Sequence, residues 1–305
     1  MNRYQGQYQE MRNYFDEIRA QVEVKPYEEV ELRTIMSSLN KAGMDRAGEH
    51  ISYPMLQRKD IFQSTKNEQF YLSKGACFPP YIEFSVLDRE QPRRKNRTYE
   101  IIIPAKEEAC DMISILLIDF LLEHGICAEV KASTIPTNAN IRVFVETEEM
   151  ATMIRDYCLK QPLIYLSVTK PNPFVNRFGK EVDGKEALFG YHKNPYGAGM
   201  ESVEYISVLI HEYVEAARTH GRIDFITVDK FMSSLRKRID KYREQDPKKE
   251  ESQNLLSVFN KAKENFEQEV KTKIVLTKQK GKRDIIPSSS FGKPEKTYQR
   301  PTYIS

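Results

Sequence analysis

Tyr4, Tyr8, Met11, Phe15, Ile18 and Val22 recur at alternating spacings of four and three, which lines one face of a helix. Pro26 suits the first turn of a second helix that ends near Gly43, because proline is tolerated where the amide has no partner and glycine is favoured just past a helix end. These elements predict a helical N-terminal lobe over residues 1–69. From Phe70 the pattern changes to short β-prone runs. Tyr81 to Leu87 and Thr98 to Ile103 read as a strand pair, joined by a loop carrying Arg89, Arg93, Arg94, Lys95 and Arg97. That loop is either a solvated turn or a contact for phosphates.

Pro104 to His124 reads as a helix stopped by Gly125, and its run from Met112 to Leu122 is apolar enough to be covered on most sides. Ile126 to Ser133 alternates, placing Ile126, Ala128, Val130 and Ala132 inward and Cys127, Glu129, Lys131 and Ser133 on the other face. Ile141 to Thr147 repeats this, with Ile141, Val143 and Val145 inward. A helix from Glu148 to Lys160, acidic in its first turn as the dipole prefers, leads to a last strand, Leu163 to Thr169. The fold class is therefore α+β, a mainly antiparallel sheet in ββαββαβ order within a core domain at 70–222. Helices cover one face; the other, bearing Lys131 and Arg142, looks elsewhere.

Lys170 to Gly199 is a long stretch rich in Pro, Gly, Asn and aromatics, and loops of that length inside a domain are often functional. A helix from Met200 to His220 follows, then an αα-hairpin at 223–274 with apolar stripes such as Val228, Phe231, Leu235 and Phe259, Ala262, Phe266. Residues 275–305 read as a disordered tail.

Composition changes this picture little. A chain of 305 residues with 40% hydrophobic and 30% charged content suits a soluble globular protein. No signal-peptide pattern opens the chain, and Met112 to Leu122 is too short to span a bilayer, so a cytoplasmic location is expected, a secreted effector without a signal peptide remaining open. Cys77, Cys110, Cys127 and Cys158 are scattered, which argues against a zinc knuckle or a disulfide framework. Charge is unevenly placed. The formal charge is +3, yet residues 270–305 carry nine Lys/Arg against Asp284 and Glu295, a basic tail able to hold an anionic partner weakly or simply to stay solvated.

Strand alternation puts Lys131 and Arg142 on one face in any register. Two neighbouring cations suggest a phosphate or carboxylate site; the alternative is that Glu129 and Glu146 pair with them. The long loop adds Lys170, Arg177, His192 and Lys193 as candidate phosphate contacts beside Gly179, Gly190, Gly197 and Gly199, which let a backbone approach a ligand. His211-Glu212 begins like a zinc-protease helix, but Glu215 stands where the second histidine is needed, so no metal is expected. Hydrolase, kinase and dinucleotide-binding motifs are lacking, and no cofactor is implied.

The segment from about Tyr99 to His220 resembles the HopA1-type effector family, bacterial effectors related to lyase components of lanthipeptide pathways. The resemblance rests on "GICAEVKAS", "NIRVFVET", the helix Glu148 to Lys160, and "KPNPFVNRFG" leading through "FGYHKNP" into a helix. It implies a phosphothreonine-lyase-like reaction, elimination of phosphate from a phospho-Ser or phospho-Thr of a peptide or protein. By the same resemblance Lys131 is the base, Arg142 and Arg177 grip the phosphate, and His192 protonates it. A lysine base needs neighbouring positive charge or desolvation, and Arg142 offers the charge. Two features of the pattern are missing: an acid just after the strand arginine and an arginine early in the helix after Met200. A non-catalytic binding module for a phosphorylated or acidic partner, or a structural interaction protein, therefore stands beside the lyase.

Overall fold

The computed structural model describes residues 6–40, 51–54, 70–75, 81–86, 97–177, 189–195 and 202–283, with backbone alone at 40, 70–75 and 275–283. The chain divides into two compact units, Met1–Lys263 and Glu264–Ser305. The first holds the N-terminal helices, the sheet and the helices that follow it as far as Lys263.

α1 spans Gln7–Val24 and buries Tyr8, Met11, Phe15, Ile18 and Val22 of the stripe its spacing predicts; Tyr4 lies outside the described residues. α2 spans Leu32–Asn40 and begins six residues later than Pro26 suggests. Lys25 and Glu28 form an ion pair across the turn containing Pro26, and the α2 stripe starts only with the buried Ile35 and Leu39. Gly43 lies outside the described residues.

The strands are β1 (Phe70–Gly75), β2 (Tyr81–Val86), β3 (Tyr99–Ile103), β4 (Ala128–Ser133), β5 (Ile141–Val145), β6 (Asn176–Arg177) and β7 (Gly190–Lys193). They form one antiparallel sheet in the order β1-β2-β4-β5-β3-β7-β6. The expected pairing of Tyr81–Leu87 with Thr98–Ile103 does not occur. The β4–β5 hairpin lies between them, β2 bonding to β4 and β3 to β5. Every residue of β4 and β5 is buried, which suits the most central strands of a sheet covered on both faces.

α3 (Cys110–Glu123) and α4 (Glu148–Lys160) cover one face. Ile113, Leu117, Ile118 and Leu121 of α3 are wholly buried in one cluster with Val130, Ile141 and Val143. Each is worth about 1.5–3 kcal/mol of transfer free energy. Gly125 ends α3 at φ 64°, and its N–H and that of Ile126 bond the carbonyls of Leu122 and Leu121. A residue with a Cβ is disfavoured in that left-handed turn. Thr147 caps α4 by accepting the Met150 N–H.

The strand expected at Leu163–Thr169 is instead a single helical turn, α5 (Pro162–Leu166), followed by a lone bridge from Val168 to Ala105. Pro162 at the first position favours the turn. Leu163 and Leu166 remain exposed while Ile164 alone is buried, so the segment never offers the alternating face a strand requires. α6 (Ser202–Thr219) and α7 (Val228–Ile239) follow, and α8 runs from Pro247 to Arg283. Residues 275–283, expected in a disordered tail, are thus helical; residues 284–305 lie outside the described set. No helix among the described residues is long and apolar enough to cross a membrane.

Candidate functional site

Residues directly opposite each other in an antiparallel sheet point to the same face. On the face away from α3 and α4 the register therefore builds two adjacent rows. One runs Glu83, Lys131, Arg142, Ile102, Gly190, Arg177. The other runs Ser85, Glu129, Phe144, Glu100, His192. Lys131, Arg142, Arg177 and His192 thus share one face of one sheet. They are not one cluster: Lys131 on β4 and Arg177 on β6 lie four strand spacings apart, roughly 19 Å between backbones.

This face is not the open polar surface that the alternation suggests. Arg142 and His192 are 0% exposed and Lys131 is 4% exposed. Ser202, the first residue of α6, donates its N–H to Glu100 Oε2 at 3.0 Å, and Asn194 donates to the same oxygen. Glu251 of α8 lies 2.6 Å from His192 Nε2. The second layer is therefore set down on the sheet through polar contacts, and acids lie among the cations beneath it. Buried Glu83, Glu100, Glu129 and Glu251 accompany Arg97, Lys131, Arg142 and His192.

Each candidate can now be placed. Lys131 Nζ is 3.6 Å from Glu129 Oε1, with the Tyr81 and Phe144 rings 4.8 and 5.2 Å away. Glu83 faces it from β2 and Arg142 from β5. Burial lowers the Arg142 pKa to about 10 against the opposing pull of Glu100, Tyr81, Tyr53 and Glu204. Glu204, in the first turn of α6, feels both Lys131 and Arg142, although burial still raises its carboxyl above the usual range. Of the two acids expected beside the cations, Glu129 pairs with Lys131, and no ion pair of Glu146 is seen among the described residues.

Arg177 and Lys170 go elsewhere. Both bind the Glu10 carboxylate of α1, Arg177 at 2.7 Å and Lys170 at 2.8 Å, so they tie the N-terminal helix to the sheet. His192 is held by Glu251; burial pulls its pKa down, but Glu251, with help from Glu100 and Glu250, outweighs this and raises it. Lys193 alternates away from His192, is half-exposed and pairs with Glu250 at 3.1 Å. Of the basic residues before β3, Arg97 is buried and 3.4 Å from Glu129, while Arg89, Arg93, Arg94 and Lys95 lie outside the described residues. So do Gly179, Gly197 and Gly199. Gly190 is required for packing, since a Cβ there would meet the Ile102 Cβ at 2.9 Å.

Glu212 binds Arg238 and Lys248, and Glu215 binds Arg218, so the acids nearest His211 are engaged in ion pairs. No cluster of three His, Cys, Asp or Glu able to hold a metal occurs among the described residues. Glu83, Glu100, Glu204 and Glu251 are the members that sequence reasoning missed. Glu100 sits at the alternate position of β3 that faces the Arg142 side, a signal present in the strand pattern; Glu251 is distant in the chain and gives none. No protein-family model matches the chain, and no curated protein matches it.

Proposed function

We propose that the chain recognises a phosphorylated Ser or Thr side chain, or an equivalent acidic group, at the Lys131–Arg142 pair and retains it without turnover. The supporting observation is the direct register pairing of two cations at the sheet centre, with the Glu204 carboxylate under the influence of both. Like charges side by side in a low-dielectric setting favour an anion beside them. A phosphate, carrying more charge, would compete with the Glu204 carboxylate for the two cations. Retention is preferred to elimination because His192 and Arg177, which elimination would need at the same phosphate, are engaged by Glu251 and Glu10.

Elimination is the second reading, favoured by the raised pKa of His192, which keeps a proton available on the same face. In that reaction neutral Lys131 takes the Cα proton, the Cβ–O bond breaks with formation of the Cα–Cβ double bond, and His192 protonates the departing phosphate. Titration with a phosphothreonine peptide, followed by mass spectrometry, separates the two. Retention predicts binding that weakens in Arg142→Lys, with peptide mass unchanged; loss of the mass of phosphoric acid, abolished by Lys131→Ala, establishes elimination instead. Equal affinity for the unphosphorylated peptide removes both readings and leaves a structural interaction protein.

A further inference from the structure

We propose that the outward face of α7, with the turns on either side of it, is a binding surface for single-stranded nucleic acid. The apolar stripe of α7, Val228, Phe231, Met232 and Leu235, is turned into the protein. On the opposite side Lys230 and Lys237 lie two turns apart, and Lys241 follows just past the end of the helix. At ~1.5 Å per residue these three cations extend over roughly 16 Å. All three are exposed, and none forms an ion pair with another described residue. Beyond them the surface continues into a recess of about 570 Å³ lined by Lys241, Arg243, Gln245 and Asp246. At the other end Phe225 is 39% exposed, with Arg222 Cζ 5.7 Å and Lys230 Nζ 5.1 Å from the centre of its ring.

Helix stability does not account for this placement. Cations in the last turn of a helix complement its dipole, which covers Arg236, Lys237 and Arg238, but Lys230 stands in the first turn, where positive charge is unfavourable. From 222 to 246 the exposed charges are six cations, Arg222, Lys230, Arg236, Lys237, Lys241 and Arg243, against three acids, Asp224, Asp240 and Glu244. A surplus of cations drawn out along a line suits a chain of anions rather than one small ion. Nucleic acid is the anionic polymer whose recognition also uses an exposed ring: phosphates follow the cations while a base stacks on the aromatic side chain. A duplex fits less well, because its bases are already stacked on one another. An acidic membrane fits less well too. A helix lying on lipid turns an apolar face outward, whereas Phe225 is the one large apolar side chain exposed on this stretch.

Fluorescence anisotropy of a labelled ~20-nucleotide oligothymidylate, titrated with the full chain at salt concentrations from roughly 50 to 200 mM, tests the assignment. The wild type is expected to bind, with log affinity falling by about 2 for each tenfold rise in salt, the slope for three neutralised phosphates on a single strand. Lys237→Ala with Lys241→Ala is expected to weaken binding by about tenfold or more at the lowest salt and to make the slope shallower by about 1.4. Phe225→Ala is expected to weaken binding about fivefold or more with the slope unchanged, a split that loss of fold would not give. Both variants keep the basic residues of 270–305, and each is expected to retain the wild-type circular dichroism spectrum. A wild type that leaves the oligonucleotide unbound overturns the proposal. Either variant binding like the wild type overturns it as well. Equal binding of a duplex, or binding to phosphatidylglycerol vesicles in place of the oligonucleotide, overturns it in favour of that partner.

Discussion

Replacing Glu251 by Gln removes the partner that holds His192, and the loss depends on pH. The two side chains are 0% and 1% exposed with 2.6 Å between Nε2 and Oε2, a short charge-assisted contact out of reach of solvent screening. Removing one member of a buried pair costs about 3–5 kcal/mol when the other charge is stranded, but His192 escapes by losing its proton. The hydrogen bond to a charged group then sets the scale, about 2–3 kcal/mol. The folded-state pKa of His192 lies above its unfolded value. Its contribution is therefore complete below the unfolded pKa, roughly 6.5, and is lost as pH rises through the higher folded value. Urea unfolding of wild type and Glu251→Gln at about pH 5.5 and about pH 9 is expected to give a difference of about 2–3 kcal/mol at the lower pH and under about 1 kcal/mol at the higher. A difference that is the same at both values, or larger at pH 9, refutes a charged His192–Glu251 pair.

Gly190→Ala drives a Cβ to 2.9 Å from the Ile102 Cβ and 3.1 Å from Val175 Cγ2, both buried side chains, and is expected to lower stability by about 1–3 kcal/mol in thermal or urea unfolding. Glu204→Gln removes the acid that opposes an anion at Lys131 and Arg142; phosphothreonine-peptide affinity is expected to rise about five- to tenfold by calorimetry, a coupling of about 1 kcal/mol. Glu10→Ala removes the carboxylate that Lys170 and Arg177 share, and its expected cost of about 1 kcal/mol in urea unfolding is accompanied by faster amide exchange in α1.

The central strands were legible because their alternation is strict. Ile141, Val143 and Val145 point inward as spaced, and Lys131 and Arg142 share a face in consequence. Strand order was not legible, because hairpin logic pairs neighbours in sequence, whereas β2 and β3 are separated by a later hairpin whose β4 and β5 are buried on both sides. Burial of the polar face was also hidden. Charged residues read as exposed, and what covers them comes from Ser202, Glu204 and Glu251, far along the chain and on helices whose apolar stripes announce only their other contacts. Leu163–Thr169 misled because a short apolar run fits a strand or a helical turn equally, and Pro162 decided it.

The most direct test of the account is calorimetric titration of the full chain with a phosphothreonine peptide and its unphosphorylated twin, with the peptide mass read at the end. The account predicts tighter binding of the phosphorylated form, lost in Lys131→Ala with Arg142→Lys, and a peptide of unchanged mass. Equal binding of the two peptides contradicts phosphate recognition at this face, and loss of phosphoric acid from the bound peptide contradicts retention without turnover.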